Sequence, residues 1–150
     1  MAERSEDAAA ALYARGMRLA KNSNWPDAEA AFRRAAELAP KASLTWLSVA
    51  IACCHQRRYE QAVLAIEWAL HAAIPIRETP ESVLGVARWE AADWRGVEEA
   101  FRRLLQKEPI DSPTHLFLAI ALINQNRVQE GVDELMAGYQ MEISESDPER

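Results

Sequence analysis

The sequence predicts an all-α fold, an α-solenoid of four helix-turn-helix repeats with about eight antiparallel helices. The first observation is a repeated phrase, since "NWPDAEAAFRRAAELAP" at residues 24–40 returns as "DWRGVEEAFRRLLQKEP" at residues 93–109. The second is that no stretch alternates polar and apolar residues over a useful length, so no sheet is expected. A recurring amphipathic phrase is typical of stacked helix pairs, because one pair cannot bury its own apolar face.

The spacing of the two phrases predicts four copies of the repeat. Trp94 follows Trp25 at an offset of 69 positions, which is twice 34 plus one. An offset of 34 from Trp25 leads to Tyr59, the same offset from Trp94 leads to Val128, and the one inserted residue lies near Arg77. We therefore expect a polar N-terminal segment (1–8), a repeat domain (9–143) with repeats at about 9–42, 43–76, 78–111 and 112–143, and an acidic C-terminal tail (144–150).

Helix boundaries can be read from the prolines. Thr79-Pro80 and Ser112-Pro113 each place an N-cap side chain before a proline at the first helical position. Pro40 and Pro109 are expected to end the helices before them, because proline cannot continue a helix.

The pattern resembles the tetratricopeptide repeat, a unit with large, small and aromatic residues at fixed positions. The first copy carries the family's residues at Leu12, Gly16, Trp25, Ala28, Phe32, Ala35 and Pro40. The second has Trp46, Ala50, Tyr59, Ala62, Ile66 and Ala69, with its proline displaced to Pro75. The third keeps Gly85, Trp94, Phe101 and Pro109 but departs at Glu81 and Val97. The fourth has Ala119, Gly131 and Gly138 at the positions for small residues and Val128 at the position for the aromatic residue.

The resemblance implies a right-handed solenoid whose concave side is lined by the first helix of each repeat. Transferring the family's groove positions gives a predominantly apolar protein-binding groove: Tyr13, Met17, Leu47, Ile51, Cys54, Val86, Trp89, Leu116, Ile120 and Ile123. The lysine and asparagines with which some members grip acidic C-terminal tails are missing from these places. The expected ligand is an apolar or amphipathic protein segment, because a large exposed apolar patch marks an interaction site. The alternative is that the register slips or a terminus folds inward, and that these residues are core.

Composition narrows the classes of partner. Hydrophobic residues make up 49% of the chain, too many for a disordered protein. The net charge of −6 repels nucleic acid and anionic membrane surfaces on average. The start of the chain does not have the pattern of a secretory signal, and the apolar runs are too short to span a membrane, so we expect a cytoplasmic protein without membrane insertion. Cys53 and Cys54 are adjacent, which favours reduced thiols in a helix over a redox or zinc site.

No catalytic or cofactor motif is found, and we expect neither enzyme activity, nor a cofactor, nor a metal site. His55, His71 and His115 lack metal-ligand spacing, and the glycine-rich and nucleophile motifs of common enzymes do not occur. The pairs Arg33-Arg34 and Arg102-Arg103 are diluted by neighbouring acids, which favours a solvated face over a basic binding patch.

These observations predict a non-enzymatic protein-binding module. Its small size, acidity and apolar groove resemble the chaperones of bacterial type III secretion. The alternative is a scaffold that assembles with itself through its groove or its last repeat, for example as a homodimer. A capping helix is not expected after the last repeat, so part of its second helix should stay open. This possible oligomer face consists of Val132, Leu135, Met136 and Tyr139.

Overall fold

The computed structural model describes residues 2–72, 74, 76–107 and 112–146. These residues form eight helices and no strand, which confirms the predicted all-α fold of helix pairs. In chain order the helices are α1 (Ala2–Lys21), α2 (Trp25–Leu38), α3 (Ser43–His55), α4 (Tyr59–Ala72), α5 (Pro80–Glu90), α6 (Trp94–Lys107), α7 (Ser112–Asn124) and α8 (Val128–Ser146).

The chain divides into two compact units, Met1–Ile74 and Pro75–Arg150. Unit 1 contains α1 to α4 and unit 2 contains α5 to α8. Within each unit, every helix packs against the next one in the chain. Each unit is therefore a stack of two helix pairs with its own core.

Several predicted helix boundaries agree with the structure. Thr79 is the N-cap of α5, its side chain accepts a hydrogen bond from the backbone N–H of Ser82, and Pro80 follows in the first turn. The helix before Pro40 ends at Leu38. Pro75 and Pro109, which also entered the prediction, lie outside the described residues.

The two ends of the chain are more helical than predicted. Helix α1 begins at Ala2 instead of near residue 9, since the alanine-rich stretch at 8–11 favours a helix and Glu3 in the first turn complements the helix dipole. Helix α8 continues to Ser146, and the Ser112 hydroxyl donates a hydrogen bond to the buried Glu142 carboxylate at 2.5 Å, which ties its last turns to α7. Residues 147–150 of the predicted tail lie outside the described residues.

The turn inside each helix pair uses the same unusual backbone conformation. Its second-to-last residue has a positive φ in all four copies, although none of these residues is glycine. They are Ser23, Arg57, Ala92 and Asn126, with φ of 60°, 61°, 57° and 62°. The turn geometry therefore repeats even where the sequence has drifted.

The inside of each helix pair follows a size rule. Gly16 faces the ring of Phe32, and Gly85 faces the ring of Phe101, so closely that a methyl group on either glycine would overlap the ring. Both phenylalanines are buried. The second and fourth copies have alanine in the small place and Ile66 or Leu135 in the large one, also fully buried. Glycine is thus combined with the larger phenylalanine, and alanine with the smaller isoleucine or leucine.

Candidate functional site

The predicted groove residues of unit 1 divide into exposed and buried ones. Tyr13 and Met17 lie one turn apart on α1. Met17 is 42% exposed, and Tyr13 is half-buried with its ring 5.6 Å from that of Phe32. On α3, Ile51 is half-buried, whereas Leu47 is fully buried. Helix α3 packs against both α2 and α4, and this leaves no room for a ligand at Leu47.

Cys54, the remaining groove residue of unit 1, is buried next to Cys53, which is also buried. Burial raises the pKa of Cys53 to about 11 and that of Cys54 to about 12. An N–H of the Arg33 guanidinium points at the Cys53 sulfur from 3.7 Å. Both thiols therefore stay protonated at neutral pH, and protonated thiols are poor nucleophiles and poor metal ligands.

In unit 2, the groove residues of α5 are accessible and those of α7 are not. Val86 and Trp89 on α5 are half-buried, and Trp89 meets the Phe117 ring edge-on with centroids 5.6 Å apart. The three predicted groove residues on α7 belong to the core: Leu116, Ile120 and Ile123.

The burial of α7 has a simple cause in its sequence. The helix lies between α6 and α8 and buries every residue from Ser112 to Ile123 other than His115. A helix that is apolar on every face is a core helix, whichever repeat positions it carries. Five of the ten predicted groove residues are therefore buried and not available as a free surface: Leu47, Cys54, Leu116, Ile120 and Ile123. The accessible set is Tyr13, Met17, Ile51, Val86 and Trp89.

Helix α5 exposes two further apolar residues that the sequence analysis missed. Val83 is 58% exposed and Leu84 is 42% exposed. They stand at repeat positions that the family's groove pattern does not include, and no other signal in the sequence marks them. Together with Val86 and Trp89 they give α5 four large apolar side chains that are accessible to solvent.

The predicted oligomer face on α8 is more closed than expected. Leu135 is fully buried and Tyr139 nearly so, while Val132 and Met136 are half-buried. Further along α8, Ile143 is 37% exposed.

A buried carboxylate joins the two helix pairs of unit 1, and sequence reasoning missed it. Glu29 on α2 is 5% exposed. It accepts hydrogen bonds from Arg33 at 2.7 Å, from Gln56 at 2.8 Å and from Arg58. Burial alone would raise the pKa of Glu29, but these hydrogen bonds and the charges of Arg33 and Arg58 lower it on balance. The carboxylate is thus held ionised by groups from α2 and from the turn between α3 and α4.

The same arrangement recurs in unit 2, each residue 69 positions further along the chain. Glu98 on α6 accepts hydrogen bonds from Arg102 at 2.8 Å, from Gln125 at 3.2 Å and from Arg127 at 2.8 Å. Here too burial opposes the hydrogen bonds, and the pKa of Glu98 is lowered on balance. We call each set a glutamate clamp. Its donors saturate the carboxylate, so the clamp is structural. The common offset of all four side chains is the signal that could have revealed it.

Two of the three histidines contact neighbouring side chains. His115 Nδ1 lies 2.6 Å from a Glu134 carboxylate oxygen, and the His55 ring stacks on Trp25 with centroids 3.8 Å apart. Within the described part of the chain, no three His, Cys, Asp or Glu side chains group closely enough to hold a metal ion. No helix there combines the length and the apolar character needed to cross a membrane.

Comparison with known proteins relates part of the chain to one family. Residues 13–75 match the family model of the tetratricopeptide repeat. Among solved structures, Pseudomonas aeruginosa PilF is similar, with 15% identity and a TM-score of 0.46, over 91% of this chain and 62% of the other. A MamA RS-1 double mutant is similar with 17% identity and a TM-score of 0.48, over 97% of this chain and 81% of the other. The chain thus spans less than two thirds of the length of the PilF chain. No curated protein matches it in sequence.

Proposed function

We propose that the chain is a non-enzymatic module that binds an apolar or amphipathic segment of another protein, as a chaperone or an adaptor, and the match of residues 13–75 to the tetratricopeptide repeat supports this proposal. The proposed binding residues are accessible apolar side chains within each unit, those of α1 and α3 in unit 1 and those of α5 in unit 2. The family's repeats serve protein–protein interaction, and this supports the general class of function.

The observation that carries the proposal is the pair of accessible apolar residues on the first helix of each unit. Tyr13 and Met17 are four residues apart on α1, and Val86 and Trp89 are three apart on α5. Residues at these spacings share one helix face. The offset between Met17 and Val86 is again 69 positions, so they occupy the same place in the two units. Fully covering one such side chain contributes about 1.5–3 kcal/mol before ordering costs.

The charge distribution supports an amphipathic partner with basic residues. Unit 1 has nine basic and eight acidic residues, a net charge of +1. Unit 2 has eight basic and fifteen acidic residues, a net charge of −7. A segment that places lysine or arginine beside its apolar residues would approach unit 2 faster than a neutral one, because opposite charges steer association.

The proposal is tested with charges placed on the accessible residues. Met17→Glu and Val86→Glu are combined in one variant, and Arg103→Glu, an exposed substitution on α6, serves as the control. Partners are captured from a lysate of the native host with wild type and both variants and identified by mass spectrometry. A partner is then purified and its affinity measured by calorimetry. We expect at least tenfold weaker binding to the double variant and no weakening in the control, with the same helical content in all three.

Retention of every captured protein by the double variant would contradict the proposal. Leu47→Asp is unsuitable for this experiment, because a charge at a fully buried position would unfold unit 1 whatever the residue binds.

Self-assembly is the second candidate, and the exposed Ile143 favours it. Ile143 and the half-buried Met136 leave an apolar strip on α8. A symmetric dimer could cover this strip, because such a dimer uses the same patch twice. Sedimentation across a concentration series separates the candidates, since wild type would dimerise and Ile143→Glu would not. The cytoplasm is the compartment we propose for either role, and the two free thiols support it.

A further inference from the structure

Helix α4 exposes a second apolar face that the proposed function does not use. Leu64 is 50% exposed and Trp68 is 54% exposed. They are four residues apart, and Glu67 lies three residues after Leu64, so all three share one helix face. We call Leu64, Glu67 and Trp68 the α4 face.

The other repeats carry different chemistry at the corresponding places. Copies one, three and four have Ala30, Arg33 and Arg34; Glu99, Arg102 and Arg103; and Asp133, Met136 and Ala137. Two of the three other copies therefore present an arginine pair where the second copy presents Glu67 and Trp68. Among the four copies, only the second has a large apolar residue at the positions of Leu64 and Trp68. This face has therefore departed from the pattern of the other copies toward an aromatic and acidic character.

The exposed tryptophan is held in a fixed position. Its ring stacks on that of Trp46 from α3, with centroids 5.6 Å apart and planes inclined by 14°. Trp46 in turn donates a hydrogen bond from Nε1 to the Pro40 carbonyl at 2.8 Å. The outer indole is thus a rigid platform, and a ligand that binds to it pays little to order it.

Glu67 supplies a charge that its own unit does not compensate. Its carboxylate is half-buried, and among the described residues it has neither a hydrogen-bond nor an ion-pair partner. Burial raises the pKa of this carboxyl group. The contrast with the first copy is direct, because there the corresponding residue, Arg33, is paired with Glu29 at 2.7 Å.

The size of the α4 face argues against a second copy of the chain as its occupant. Half of a tryptophan and half of a leucine side chain expose on the order of 200 Å² together. A stable dimer buries about 800 Å² on each partner. The face suits one or two anchoring side chains of a short segment.

We propose that the α4 face binds a short basic and apolar segment of another protein, which places an arginine or lysine against Glu67 and the Trp68 ring and an apolar side chain against Leu64. The cation pairs with the carboxylate and lies over the indole face, where the ring quadrupole attracts it. The α4 face shares no residue with the binding residues of the proposed function, so its failure would leave that function standing.

A peptide library provides the probe. Random twelve-residue peptides displayed on phage are selected on the immobilised full-length protein and counter-selected on its Trp68→Ala variant. We expect enriched peptides to carry an arginine or lysine within four residues of a leucine or an aromatic residue. The most enriched peptide is then synthesised, and its Kd is measured by fluorescence anisotropy. Trp68→Ala and Glu67→Gln should each weaken it at least fivefold.

Two further variants make the test specific. Arg34→Ala, at the place of Trp68 in the first copy, should bind the peptide as wild type does. Glu67→Arg should reject the peptide and accept one in which the basic residue is replaced by glutamate. Lack of enrichment, enrichment of acidic peptides, or equal affinity of wild type and Trp68→Ala would each overturn the proposal. Concentration-dependent dimerisation that Trp68→Ala abolishes would also overturn it, because it would assign the face to a second copy.

Discussion

Side-chain size sets how closely the two helices of a pair approach in this chain. Where the large residue is phenylalanine, the residue opposite is Gly16 or Gly85. Where the large residue is Ile66 or Leu135, the repeat position that corresponds to the glycine holds alanine, and that alanine is buried. Close-packed interiors tolerate changes of volume poorly, so each pair of positions has to be read as one unit.

This size matching predicts a compensating double mutant. Gly85→Ala should destabilise the protein by about 1–3 kcal/mol, because the added methyl group overlaps the Phe101 ring. Phe101→Leu should also destabilise it, by leaving a cavity. The double variant has the combination of the fourth copy, Ala119 with Leu135, and should lose less stability than the two single losses added together. Urea denaturation of the four proteins gives the coupling energy, and simple additivity would contradict direct packing.

The repeat positions of the core could be predicted from the sequence, whereas accessibility at the groove positions could not. The small and large residues inside each pair follow from the resemblance to the tetratricopeptide repeat, and Phe32 and Phe101 are buried as that pattern implies. Groove positions depend on what covers them. Met17 and Ile120 occupy the same repeat position, yet the former is 42% exposed and the latter fully buried. The difference lies in the helices beside them, because α7 is enclosed by α6 and α8.

At the scale of elements, the glutamate clamps link one helix pair to the next within a unit. Glu29 belongs to α2, and two of its partners, Gln56 and Arg58, belong to the turn that joins α3 to α4. The arginines are more than one third exposed, so solvent weakens their attraction. The clamp therefore stabilises the fold mainly through its hydrogen bonds. If one partner is removed, the buried group that is left without a hydrogen bond accounts for most of the lost free energy.

The unit 1 clamp predicts a pH-dependent contribution to stability. Because the pKa of Glu29 in the folded protein lies below its ordinary value of 4.5, the contribution is complete above that value and is lost as the pH falls through the folded pKa. Glu29→Gln should therefore cost about 1–2 kcal/mol at pH 7. The difference from wild type should shrink as the pH falls below 4.5.

The matched control for the clamp is Glu37→Gln, an exposed change on the same helix. Its unfolding free energy in urea should stay within about 0.5 kcal/mol of wild type at every pH, as is usual for surface substitutions. A loss for Glu29→Gln that persists unchanged at low pH would show that shape, and not the ionised carboxylate, is what the substitution removes.

For the whole molecule, the structural period spans two helix pairs, the offset that separates Trp25 from Trp94. The clamp residues recur at this offset, as do Gly16 with Gly85 and Phe32 with Phe101. They do not recur at half of it. A clamp that joined the second copy to the third would need a glutamate, a glutamine and an arginine at three positions. Those positions hold Val63, Ala91 and Asp93. The repeated phrase of the sequence predicts this period. The grouping into two units depends on which polar side chains contact each other, and the spacing of residues in the sequence does not show those contacts.

The final prediction follows from this grouping and concerns which helices are destabilised by a cavity in the core. Phe32→Ala should cost about 3–5 kcal/mol, as should Phe101→Ala, because both remove a fully buried ring. In a linear array the damage is local. Since the clamp ties α2 to the turn before α4, Phe32→Ala should accelerate amide hydrogen exchange throughout α1 to α4 and leave α5 to α8 close to wild type. Phe101→Ala should give the mirror result. Faster exchange along the entire chain in both variants would show one cooperative core, and loosening confined to α1 and α2 would show that the clamp does not couple the helix pairs.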